Sequence, residues 1–208
     1  IRIWCAASKT KPLATTKTPR NIKWHGIALL VAKAKVQNAA TYGYTHADGI
    51  VLDTNIFLYV FAPLSQPALK TDQAVYTQVY KYICEAGCRV LLHPMVLSEY
   101  LNRYCRIEWD AHYPTQKLDK KARNGSAFRS IANDAAASAK DLLKQAELLP
   151  IATTSVEQLL TQYATGGLDW NDLVIAQCCE QHDYWLLTHD ADFKYSNIKM
   201  LTTNLRAW

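Results

Sequence analysis

An α/β protein, with helices covering both faces of a central, mainly parallel sheet, is predicted by three features of this 208-residue chain. From residue 49 onward, short apolar runs of buried-strand type (GIVL, RVLL, YWLL) alternate with longer stretches of helical period. Each run stops at a polar or acidic residue. The acids Asp53, Glu99, Asp172 and Asp190 fall where strands end or helices begin, which is where a parallel sheet places its ligand-binding crevice.

The elements follow in order. Residues 1–48 hold eight Lys or Arg and one acid, Asp48, a net +7, whereas the rest holds 15 bases and 17 acids, a net −2. The division predicted is a basic N-terminal extension over residues 1–47 and a folded domain over 48–208. The extension, rich in Lys and Thr with two prolines, reads as extended to about Trp24, with a short helix over 27–39. Its charge suits either a nucleic-acid tail or a solvated extension.

A strand GIVL ends at Asp53, and residues 56–61 suit a helix. A second helix, 71–85, carries Ala74, Val75, Val79, Tyr82 and Ile83 as its apolar stripe and stops at Gly87. The strand 89–92 ends at His93-Pro94 and leads into a helix containing Glu99. The polar stretch 110–129 reads as a long loop, 130–148 as an Ala-rich helix, and 148–153 as a strand. Helices over 155–163 and 170–182, separated by Gly166-Gly167, precede strands at 184–188 and 198–202.

The chain is long enough for one good core, and its 50% hydrophobic content argues against wholesale disorder. The longest apolar run near the start, IALLVA, falls far short of the roughly 18 to 20 residues that span a bilayer. A soluble, cytoplasmic protein is expected, with no membrane partner. The six cysteines lack paired CxxC spacing and read as free thiols in a reducing compartment, although Cys84 and Cys88 lie one helical turn apart.

Taken singly, each acid has a commonplace role. Asp53 suits a helix cap, Glu99 a solvated helix face, Asp172 a first-turn dipole partner and Asp190 a turn. Taken together, four carboxylates delivered to one crevice by separate elements would repel unless a cation joined them. All-oxygen ligands select Mg²⁺ or Mn²⁺ over Zn²⁺. His93 and His189 lie near these acids but read as loop histidines.

The strings IVLDTNIFLYVF, VLSEYLNR and DLVIAQCCEQHDYWLLTHDADF, in this order and spacing, resemble the PIN-domain nucleases, especially the VapC-type toxins of bacterial toxin-antitoxin pairs. The resemblance covers about residues 49–204. It implies a PIN-like three-layer α/β/α fold and Mg²⁺- or Mn²⁺-dependent hydrolysis of RNA. It makes Asp53, Glu99, Asp172 and Asp190 the catalytic, metal-binding acids, with Asn55 and Thr188 orienting them. Asp169 and Asp192 are auxiliary candidates, the latter better suited to capping the turn before Phe193.

Substrate phosphates would meet Arg103, Arg106, Lys117, Lys120, Lys121 and Arg123. The implied partners are RNA, a cognate antitoxin and a second copy of the chain. Two departures from the toxin pattern stand out: the 48-residue arm before the first strand and the long 110–129 linker. They keep in view a nuclease of RNA processing or of structured DNA, and more distantly a catalytically silent RNA-binding scaffold.

Overall fold

The computed structural model describes residues 34–62, 70–150 and 156–208. In chain order the elements are β1 (Lys35–Asn38), β2 (Gly49–Leu52), α1 (Thr54–Phe61), α2 (Lys70–Glu85), β3 (Arg89–Leu92), α3 (Pro94–His112), α4 (Lys120–Arg123), α5 (Ser126–Gln145), β4 (Glu147–Leu148), α6 (Val156–Tyr163), α7 (Trp170–His182), β5 (Trp185–Leu187) and β6 (Lys199–Thr202).

The strands form one sheet in the order β1-β6-β5-β2-β3-β4, and every pairing is parallel. Successive residues of β2, β3, β5 and β6 are buried regardless of which face they point to, so both faces are covered and the domain has three α/β/α layers. The chain runs from β2 outward through β3 to β4, then returns to lay β5 and β6 on the other side. The direction of winding therefore reverses between β2 and β5. Such a reversal opens a crevice at the carboxyl ends of the two neighbouring strands.

Local chemistry sets the helices that border this crevice. Asp53, extended at φ −74° and ψ 162°, caps α1. Four consecutive apolar residues of that helix, Ile56 to Tyr59, are buried. At α3, His93 accepts the Met95 N–H and Pro94 takes the first turn, where its missing N–H costs nothing. Asp169 caps α7, which ends at Asp183 in the left-handed region at φ 57°. Gly87, at φ 68°, turns the chain from α2 into β3.

Several expectations need correction. The helix foreseen over 27–39 gives way to strand β1 at Lys35–Asn38, which pairs with the outer edge of β6; residues 27–33 lie outside the described residues. Pairing to an open strand edge outweighs the weak local helical pattern there. Strand β1 lies before the boundary placed at residue 48 and pairs with β6 of the same sheet.

The loop foreseen over 110–129 is mostly helical. α3 extends to His112, α4 takes 120–123, and α5 begins at Ser126. The polar composition there reflects the outer faces of helices, whose inner faces bury Trp109, Ile131, Ala135, Ala139 and Leu142. Trp109 is also tied by its indole N–H to Gln116 O at 2.8 Å, closing the turn after α3.

The stripe expected on α2 is rotated. Tyr76, Val79 and Ile83 are buried, whereas Val75 and Tyr82 stand exposed. The strand foreseen over 148–153 is the two-residue β4, with residues 151–153 outside the described residues. Cys105, Cys178 and Cys179 are buried free thiols, Cys84 is an exposed one and Cys88 a half-buried one; Cys5 lies outside the described residues. Among the described residues no helix is long and apolar enough to cross a membrane.

Candidate active site at the switch point

Asp53 leaves β2 at the centre of the sheet and is 6% exposed. Its backbone N–H continues the ladder to Leu187 O at 3.0 Å, so the ends of β2 and β5 are pinned together. Its Oδ1 accepts the Thr54 N–H at 2.6 Å. Its Oδ2 accepts the Asn55 amide at 2.7 Å and the Thr188 hydroxyl at 2.7 Å. Burial nevertheless pushes its carboxyl up to about 6, with the charges of Glu99 and Asp190 adding to the rise and the bonds from Thr188 and Thr54 opposing it.

Asn55 and Thr188 stand where the sequence put them, beside the central acid. Asn55 also accepts the His189 N–H through Oδ1, and Thr188 Oγ1 accepts the Asp190 N–H at 2.9 Å. Asn55 thus faces Asp53 with its amide nitrogen and holds the turn after β5 with its amide oxygen, while the Thr188 hydroxyl does both with one oxygen, donating to Asp53 and accepting from Asp190.

Glu99, from the second turn of α3, reaches the same place. Its Oε2 accepts the Thr54 hydroxyl at 3.1 Å, and its Oε1 pairs with Arg103 at 3.2 Å. Asp172 is half-buried in the first turn of α7. Its carboxyl is pushed up to about 7 by burial first and then by the charges of Asp169, Asp53, Asp190 and Glu99. Asp190 is exposed, and its Oδ1 accepts the Asp192 N–H at 2.9 Å.

Asp169 is exposed and caps α7 through the Asp172 N–H at 2.9 Å, which gives it a structural task besides any ligand role. Asp192, read as a turn cap, lies instead in the first turn of the 3₁₀ segment Asp192–Tyr195 and donates its backbone N–H to Asp190 Oδ1.

The chemistry of the donors suits a hard divalent cation. They are carboxylate oxygens in mutual repulsion, and two of them are partly or wholly desolvated. Among the described residues, however, no three of His, Cys, Asp and Glu are drawn close enough together to form a ligand cage as they stand. The acids share an electrostatic neighbourhood, with Glu99 held to one side by Arg103.

Of the cationic residues proposed for substrate contact, Arg103 is brought to the site through Glu99. Lys120, Lys121 and Arg123 form α4, capped by Asp119, with the Arg123 guanidinium over the Phe128 ring at 5.3 Å. Lys117 lies exposed just before α4, and Arg106 is exposed on α3.

Sequence reading missed Tyr76 and Asn204 around the turn after β5, and read His189 only as a loop histidine. The His189 ring lies 3.1 Å from the Tyr76 hydroxyl through Nδ1 and 3.9 Å from Asp72 Oδ2 through Nε2. The Asn204 amide donates to His189 O at 2.7 Å. Tyr76 sits inside an ordinary apolar stripe and Asn204 in a C-terminal turn, so neither carries a motif.

The fold is a parallel α/β domain with acids from four separate segments in the neighbourhood of its switch point. The PIN domain family matches residues 50–197, and the chain belongs to that family, whose members are generally nucleases. Solved structures with a similar backbone include VapBC2 from Rickettsia felis bound to a DNA fragment from their promoter, at 18% identity over 74% of this chain and 98% of that one, with a TM-score of 0.49. PAE2754 from Pyrobaculum aerophilum is 16% identical over 79% and 96%, with a TM-score of 0.46. FitAcB from Neisseria gonorrhoeae is 18% identical over 73% and 96%, also at 0.46. No curated protein matches the chain.

Proposed function

We propose that this PIN domain is a Mg²⁺- or Mn²⁺-dependent endoribonuclease and the toxin of a type II toxin-antitoxin pair, acting in the cytoplasm. The observation that carries the reading is the mutual electrostatic burden of the acids. Asp53 and Asp172 are each raised by burial first and then by the charges of their neighbours in one crevice, a state that a divalent cation relieves. Asp53, Glu99, Asp172 and Asp190 would hold the cation, with Asp169 at its margin.

When bound, the cation supplies Lewis acidity that activates a water for in-line attack on a phosphodiester and offsets charge on the leaving oxygen. The chain's own residues do the rest. Thr188 and Asn55 orient Asp53, and the Thr188 bond favours its ionised form against the pull of burial. Arg103 stands at the crevice edge, where its guanidinium can pass from Glu99 to a substrate phosphate. Arg106, Lys117, Lys120, Lys121 and Arg123 extend the cationic surface along α3 and α4 for the RNA backbone.

The toxin assignment is supported by the DTN, SEY, DLVIA and THDADF strings in one order, and it implies a cognate antitoxin as partner. The test is expression in bacteria without a partner. Growth should stop with the wild type and continue with Asp53→Ala. Equal arrest by both would remove the toxin reading.

A further inference from the structure

Tyr76 lies in the middle of α2, 0% exposed, far in sequence from every acid of the site. Its hydroxyl meets four groups from the two strands on the far side of the crevice. It lies 3.3 Å from Thr188 O and 3.1 Å from His189 Nδ1, both in the turn after β5. It lies 3.5 Å from Thr202 Oγ1 and accepts the Thr203 N–H at 3.2 Å, both at the end of β6. The ring stacks on Tyr59 of α1 at 5.7 Å and meets the edge of His189 at 5.6 Å.

The turn so held is the one that carries Thr188 and Asp190. Asn204 holds the same turn from the other side through His189 O, and Asn55 holds it through His189 N. An exposed carboxylate such as Asp190 has no packing to aim it, so its direction is set by the backbone it stands on and by the Asp192 N–H that its Oδ1 accepts.

We propose that Tyr76 is a positioning residue of the nuclease site, its hydroxyl fixing the 188–190 turn so that Asp190 and the Thr188 hydroxyl point at Asp53. This rests on the nuclease reading given above. Tyr76 touches neither substrate nor cation and acts through the turn.

The same helix supplies a control. The Tyr80 hydroxyl is also buried, but the group that faces it is the Cys84 thiol of the same helix and not the site. Tyr76→Phe and Tyr80→Phe therefore remove the same atom from the same helix, once from the hub on the 188–190 turn and once from beside Cys84.

The experiment compares the full chain and both variants in two measurements: amide hydrogen exchange over residues 186–192, and kcat and KM for a synthetic hairpin RNA with Mn²⁺. For Tyr76→Phe, exchange at His189 and Asp190 should quicken roughly tenfold, as expected for a lost hydrogen bond. Its kcat should fall roughly tenfold to a hundredfold with KM little changed, the scale of lost outer supports of a metal site. Tyr80→Phe should match the wild type in both.

Unchanged exchange in Tyr76→Phe would overturn the proposal, and so would quickened exchange with undiminished kcat. Loss shared equally by Tyr80→Phe would show general destabilisation and overturn it as well. A wild type that cleaves no RNA would overturn the nuclease reading and the catalytic half of this proposal with it, while the exchange data would still decide whether Tyr76 holds the turn.

Discussion

The Thr188 hydroxyl donates to Asp53 Oδ2 at 2.7 Å, joining two residues 135 positions apart. The bond closes the crevice between β2 and β5 and is one of the forces that oppose the upward push on the Asp53 carboxyl. Thr188→Val, which keeps the shape and removes the donor, should destabilise the protein at pH 8 by about 1–3 kcal/mol, the usual cost of a buried group losing its partner. Thr188→Ser should stay near the wild type. Denaturant unfolding of the two variants checks this, and equal stability of Thr188→Val and wild type would contradict it.

Mutual repulsion predicts a response to metal. Mg²⁺ or Mn²⁺ should raise the melting temperature of the wild type, because binding only to the folded state stabilises it. Asp53→Asn combined with Asp172→Asn should melt higher than wild type in chelator and gain almost nothing from the cation. A rise in the double variant equal to that of the wild type would show that the cation binds elsewhere.

The raised carboxyls fix the sign of a pH effect. Asp53 titrates near 6 and Asp172 near 7 in the folded protein, against 3.8 as the ordinary value. The native state thus holds protons that the unfolded chain has released. Stability from these groups is complete below about pH 4 and is lost as pH rises toward 7. Asp53 alone accounts for about 3 kcal/mol on that scale. In chelator, the difference in unfolding free energy between wild type and Asp53→Asn should widen from pH 4.5 to pH 7.5, with wild type the less stable. A difference independent of pH would refute the assignment.

The basic arm can be tested separately, at a cut that the fold dictates. Because β1 belongs to the sheet, the deletion should stop at residue 30 and not enter 35–38. Residues 1–30 hold six Lys or Arg and no acid. If they contact RNA, removing them flattens the dependence of affinity on salt; if they are a bland extension, the slope stays. The arm offers only Trp4 and Trp24 as stacking rings, and an unchanged slope is the expected result. A salt titration of full-length and shortened protein against one RNA decides it.

The parallel core was legible because buried strands and helical period leave strong local signals. Asp53, Asn55, Glu99, Asp172, Thr188 and Asp190 could be proposed from the sequence because they sit at strand ends and helix starts in recognisable strings. β1 was not, since a four-residue edge strand with one apolar residue, Val36, owes its form to the open side of β6. The helices through 110–129 were hidden by their polar outer faces. Tyr76 and Asn204 were invisible because their importance comes from contacts 112 to 127 residues away for Tyr76, and from a backbone carbonyl for Asn204. No local pattern encodes either.

The central claim is that one crevice of four acids hydrolyses RNA with a divalent cation. The most direct test measures cleavage of a structured RNA by the wild type and by Asp53→Ala, Glu99→Ala and Asp190→Ala, each with Mg²⁺ or Mn²⁺ and with chelator. Cleavage should require the cation and fall at least roughly a hundredfold in every variant. Undiminished cleavage by the three variants, or equal cleavage in chelator, would contradict the account.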